Sequence, residues 1–237
     1  MFFRHPFHHQ DGSSSETWMG IIDGIYAIAA TLIAIELPEL FKSLLEAPVS
    51  SFRGDALFLM LAYEVTAYAA TFLLLYELWL MHRTAIGLGG LKFQIQNICN
   101  ALILAVTCLG AGNIILILDG KTDLAIEAIR DGATHQDLYK AWVGSHPVYG
   151  VSAFVLVALS FFLIAVIART CSNYRQSAVI REIAVGSLIR GTCFLVFIAT
   201  WLPLLFGQAL PLLPPAVIVL IYLLVSFDPL SVFQASE

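Results

Sequence analysis

Asp23, Trp79, His82 and Asn100 are four side chains with hydrogen-bonding or acid–base chemistry that fall inside, or at the edge of, runs that are otherwise apolar. Taking such groups out of water costs free energy that only a partner can offset. A carboxylate accepts from an indole N–H, and an imidazole pairs with a carboxamide, so these four types can satisfy one another. Such a set can fix how helices pack, or it can relay protons, and the residue types alone leave both open. Arg83 supplies a counter-charge beside His82. Glu64 and Glu77 are further candidates for proton or cation handling, whereas Glu36 sits at the far end of its apolar run, where it can simply face water.

For these residues to meet, the segments that carry them must run side by side in alternating directions. Apolar residues make up 59% of the 237 and charged residues only 12%, against roughly a quarter charged in a soluble domain. A soluble fold of this length cannot hide so much apolar surface; a bilayer removes the need to. The chain therefore reads as an all-α integral membrane protein. Its spans are expected at about 18–37, 56–82, 98–118, 148–168, 183–206 and 213–227, each near the roughly 20 residues that cross a bilayer. These six helices make one transmembrane domain, 18–231, between a polar N-terminal tail, 1–17, and a C-terminal tail, 232–237. Helices are required because lipid satisfies no open backbone groups, and no alternating barrel pattern is present. Pro38 is expected to stop the first helix, and the sixth opens in a stretch with Pro211, Pro214 and Pro215. With alternating directions, Asp23 near the start of the first span, Trp79 and His82 at the end of the second, and Asn97 and Asn100 at the start of the third share one depth.

The charges give the orientation. Arg4, Arg83, Lys92, Arg169, Arg175, Arg181 and Arg190 fall on the side of the N-terminus, and Lys42, Arg53, Lys121, Arg130 and Lys140 on the other. This bias points to a multi-pass protein of the cell membrane with cytoplasmic N- and C-termini. A net charge of −5 with no basic run argues against nucleic acid. Cys99, Cys108, Cys171 and Cys193 have no zinc-like or redox-like spacing and read as small apolar residues. His5, His8 and His9 belong to a solvated tail, and no metal site or catalytic residue is expected. No His-Glu-x-x-His, nucleophile elbow or phosphate-cradling loop is present, so the chain does not read as an enzyme; Gly87, Gly89 and Gly90 read as a flexible turn. The connection 119–147 is the one long loop, where Leu124, Ala128, Ile129, Leu138, Tyr139 and Trp142 can form short amphipathic turns.

The first helix carries a second pattern. Gly20, Gly24, Ala27, Thr31 and Ala34 recur at helical spacing, a small-residue stripe that permits close approach of another backbone. Beside it lie Ile28, Leu32 and Ile35. In an isolated helix they face lipid or a neighbour; around the axis of a symmetric oligomer they form a ring that gates by dewetting.

The run Asp23-Gly24-Ile25-Tyr26-Ala27-Ile28-Ala29-Ala30-Thr31-Leu32 resembles the first helix of the transmembrane protein 175 family, the organellar potassium channels of animals and their single-repeat prokaryotic relatives. Trp79-Leu80-Met81-His82 is similar to the family's Trp-x-x-His element, and Asn100 to its Asn at the start of the third helix. Of the signature Arg-x-x-x-Phe-Ser-Asp only the Asp stands here, as Asp23; Thr17 and Ile21-Ile22 occupy the other places. The resemblance implies a homotetramer in the lipid bilayer with potassium as the permeant ion and no cofactor. It implies a pore lined by the first helix of each subunit, with Ile28, Leu32 and Ile35 as a hydrophobic constriction and Thr31 as the polar layer. Asp23, Trp79, His82 and Asn100 are then the interhelical polar network. A potassium-preferring cation channel or leak is the expected function. A membrane scaffold without transport, or a proton-coupled secondary transporter, are the alternatives.

Overall fold

A computed structural model describes residues 15–46, 54–110 and 147–205, together with Val219 and Tyr222. Among these residues all regular structure is helical: α1 Ser15–Glu46, α2 Gly54–Gly89, α3 Gln94–Gly110, α4 Pro147–Thr170 and α5 Ala178–Leu205. Three stretches are long and apolar enough to cross a membrane, Thr17–Ile35, Val151–Thr170 and Ala178–Ala199, and Gln94–Gly110 is a shorter apolar helix. Of the expected sixth helix only Val219 and Tyr222 are described, and residues 119–146 of the expected loop lie outside the described residues, as do the N-terminal histidines.

By its contacts the chain divides into two compact units. One comprises Met1–Thr31, Glu77–Gly112 and Ser152–Ala199; the other comprises Leu32–Tyr76, Asn113–Val151 and Thr200–Glu237. Every contact described below belongs to the first. Its core follows helical periodicity: Ile22, Tyr26 and Ala29 on α1, Gln96, Cys99, Asn100, Ile103 and Thr107 on α3, and Ile180, Ala184, Ser187, Phe194 and Ile198 on α5 are buried at spacings of three and four. Phe161 stacks on Phe194 at 5.9 Å, which in turn meets Phe197 edge-on at 5.6 Å, joining α4 to α5.

The ends of these helices follow from local chemistry. Pro147 opens α4 at the position where its missing N–H has no helical partner anyway. The Ser177 hydroxyl caps α5, accepting from Ile180 N–H at 3.3 Å. At the head of α3 the buried Gln96 amide oxygen reaches back and accepts from Phe93 N–H at 3.0 Å and Lys92 N–H at 2.8 Å, the return half of a capping box.

Four helix limits differ from the sequence expectation by four residues or more. α1 continues past Pro38 to Glu46; one proline removes one backbone donor, and the helix carries on across it. α2 runs on to Gly89, and Gly87 is helical rather than part of a flexible turn. The stop is Gly90, at φ 66°, whose N–H bonds Ile86 O at 2.8 Å, the left-handed cap that glycine adopts without steric cost. α3 starts four residues before Ile98, at Gln94, because Gln96 supplies the cap. α5 starts at Ala178, five residues before Ile183, because Ser177 supplies its own.

Candidate functional site

The two short turns of the first unit, α2–α3 and α4–α5, are joined to one another and set the depth of everything else. Asn173 Nδ2–H donates to Leu88 O at 3.0 Å, and Lys92 Nζ donates to Ser172 Oγ at 3.3 Å. Gly89 packs directly on Cys171, and any larger residue there would collide with its sulfur. The Cys171 thiol donates to Ile167 O at 3.1 Å and takes a long contact from Gln96 Nε2 at 3.8 Å. Burial pushes that thiol's pKa up, with the Lys92 charge pulling against it. Met19 near the start of α1 reaches Gly87, so α1 begins at this same end.

From this end inward, helix rise fixes where the polar residues fall. Asp23 on α1 accepts from Trp79 Nε1–H of α2 at 2.7 Å. Arg83, one turn later on α2, brings its Nε to 3.2 Å from the same carboxylate and lays its guanidinium over the Trp79 ring at 5.7 Å. This group is half open: the Asp23 and Arg83 side chains are 40% and 45% exposed. His82, the fourth residue in the same stretch of α2, turns inward instead. Its Nε2 meets Asn100 Oδ1 of α3 at 2.9 Å, and both residues are fully buried. The Tyr26 ring of α1 sits edge-on to the imidazole at 6.0 Å. The four residues singled out from sequence thus occur in two pairs, one at the rim and one in the interior, and Tyr26 joins the second.

Two residues acquire a role that the sequence pattern did not give them. Glu77 of α2, considered above as a proton or cation group, is held by Arg190 of α5, whose Nε lies 2.6 Å from its Oε1. The charge count places Arg190 only on the side of the N-terminus. With α5 starting at Ala178 it lies more than three turns into the helix. The legible signal was a lone arginine deep in an apolar run, between Gly186 and Gly191. The side chains of Glu64 and Glu36 lie outside the described residues. Among the described residues no group of His, Cys, Asp and Glu could hold a metal ion.

α1 itself has two faces. Ile22, Tyr26, Ala29 and Ile33 are buried at 3% or less, whereas Ile28 is 62%, Leu32 45% and Ile35 54% exposed. Gly20 and Gly24 have nothing within 4 Å of where a side chain would start. The Thr31 hydroxyl, also exposed, donates to Ala27 O at 2.7 Å. That bond occupies its proton and leaves oxygen lone pairs turned away from the helix.

Residues 19–109 match the family model described as the endosomal/lysosomal potassium channel TMEM175. This stretch is similar to the TMEM175 family. It holds the outward face of α1, both polar pairs and Glu77, while Arg190 lies beyond it. The TMEM175 family is one of ion channels rather than enzymes, and with three helices able to span a bilayer the chain is a membrane protein. No curated protein and no solved structure matches the chain.

Proposed function

We propose that the chain is a potassium-preferring cation channel in which α1 of several copies lines one pore, most simply as a homotetramer with six spans per subunit in the cell membrane and cytoplasmic termini. The observation that carries this reading is the division of α1. One face is packed inside the chain, while Ile28, Leu32 and Ile35 stand exposed on the other, beside the bare Gly20 and Gly24. Copies brought together on the glycine stripe would set these aliphatic side chains around an axis.

A ring of branched aliphatic groups holds no water when narrow, so it blocks ions until it widens or an ion sheds its shell. Isoleucine and leucine offer nothing in exchange for that shell. The Thr31 oxygen does, since its proton is engaged with Ala27 and its lone pairs are available to a cation. Selectivity on this arrangement comes chiefly from dehydration cost, which is lower for potassium than for sodium. Asp23 acts at a distance, by fixing α1 to α2 through Trp79.

The test is flux into liposomes from the purified, oligomeric protein under a potassium gradient, repeated with sodium and with Ile28→Asn. Potassium flux above sodium flux, and raised by Ile28→Asn, is the expected result. No flux in either salt from folded oligomers would favour a membrane scaffold. Thr31→Val with unchanged selectivity would remove the threonine from the filter.

A further inference from the structure

The Glu77–Arg190 ion pair has a place in the helix geometry that neither the family match nor the pore reading uses. Glu77 lies twelve residues before the end of α2 at Gly89, and Arg190 twelve residues after the start of α5 at Ala178. Both are therefore about 18 Å along their helices from the joined turns, a depth that falls inside a bilayer's roughly 30 Å apolar layer when that layer begins at those turns. The charges are close and shielded: Nε to Oε1 is 2.6 Å, and the Glu77 side chain is only 6% exposed. The helix makes room for it, since a methyl group on Gly186 would lie 2.8 Å from Arg190 Nη1.

Glu77 and Trp79 are two residues apart, so they project from α2 about 200° apart, on nearly opposite sides. Trp79 and Arg83 bind α1 through Asp23 on one side. Glu77 binds α5 through Arg190 on the other. Between them lies the buried face of Leu78, His82, Ala85 and Ile86, apolar but for the His82 bond to Asn100, and apolar contact is non-directional. The rotation of α2 about its own axis thus depends on its few directional bonds. The group at Asp23 is half exposed, whereas the Glu77 side chain is closed off on nearly every side.

We propose that Glu77 and Arg190 form an intramembrane positioning pair that sets the rotation of α2 and so holds Trp79 against Asp23 of α1. Where the pore reading holds, the same pair fixes α1 in its register at the axis; that consequence rests on the channel reading, and the positioning role does not.

The readout is the emission of Trp79 alone, in full-length protein carrying Trp18→Phe, Trp142→Phe and Trp201→Phe. Asp23→Ala calibrates the loss of the indole hydrogen bond. Glu77→Gln, Arg190→Gln and the double variant Glu77→Gln/Arg190→Gln are then compared, the double one leaving no lone charge behind and guarding against single variants that fail to fold. The expected result is a Trp79 emission shift in the folded double variant comparable to that of Asp23→Ala, with the parent emission restored by the exchange Glu77→Arg/Arg190→Glu. Parent-like Trp79 emission in folded single or double variants, even with a lowered melting temperature, would overturn the proposal and leave a purely stabilising contact. Potassium flux is measured on the same samples. Its absence from the unmodified protein would sink the channel reading while the emission still decides the positioning role.

Discussion

The two acidic residues that hold α2 differ in nearly every physical respect. Asp23 at the rim is 40% exposed, shares its carboxylate between an indole and a guanidinium, and spans 3.2 Å to its cation. Glu77 is almost closed to solvent and meets its arginine at 2.6 Å. A rim pair gains little net energy, because water competes for both partners and ordering two long side chains costs entropy. A buried pair gains strong attraction but pays a desolvation cost of similar size. Neither is therefore a large net source of stability as it stands. What differs is the consequence of removing one partner: Asp23 keeps a second one and is half exposed, whereas Glu77 stays closed to solvent.

The largest expected effect tests this asymmetry directly. Glu77→Leu or Arg190→Leu leaves an uncompensated charge within the apolar layer and should lower unfolding free energy by about 3–5 kcal/mol, read from thermal or denaturant unfolding in detergent. The double variant Glu77→Leu/Arg190→Leu should recover most of that loss. A double variant as unstable as either single one would mean that packing, rather than unpaired charge, governs the site. Next in size is the other interior pair. Asn100→Leu strands the fully buried His82 imidazole and should cost roughly 1–3 kcal/mol. Gly186→Ala comes third. Its methyl group presses on the flexible end of Arg190, so the guanidinium shifts away from Glu77 at a cost of roughly 1 kcal/mol. That loss should vanish when Gly186→Ala is made in the Glu77→Leu/Arg190→Leu background.

Much of this arrangement is legible in the chain before any coordinates. Alternating direction alone puts Asp23, Trp79, His82 and Asn100 at one depth, and the structure places Trp79 on Asp23 and His82 on Asn100. What alternation does not carry is azimuth. His82 is three residues from Trp79, and that 60° offset is enough to send one into the interior and leave the other at the rim. Helix ends were harder to read because apolar runs do not mark them. Caps do, and two of these are side chains whose role appears only in three dimensions, Gln96 at α3 and Ser177 at α5. Counting Arg190 only by the side of the membrane on which it falls leaves its link with Glu77 out of the sequence reading. On α1 the spacing singles out Ile28, Leu32 and Ile35, whereas the buried side, Ile22, Tyr26, Ala29 and Ile33, shows only in the structure.

The smallest effect belongs to Arg83, and its size is informative. Arg83→Ala removes one of two bonds to Asp23, but the Trp79 indole remains at 2.7 Å and the carboxylate is half exposed. Stability should fall by no more than about 1 kcal/mol. The difference between Arg83→Ala and parent should shrink as salt rises, because exposed charges are screened. Glu77→Leu should keep its full cost at the same salt concentrations, since ions do not enter the apolar layer. Equal salt sensitivity of the two variants would mean that Glu77 and Arg190 are hydrated in the membrane-embedded protein, and the distinction between rim and interior would fall with it.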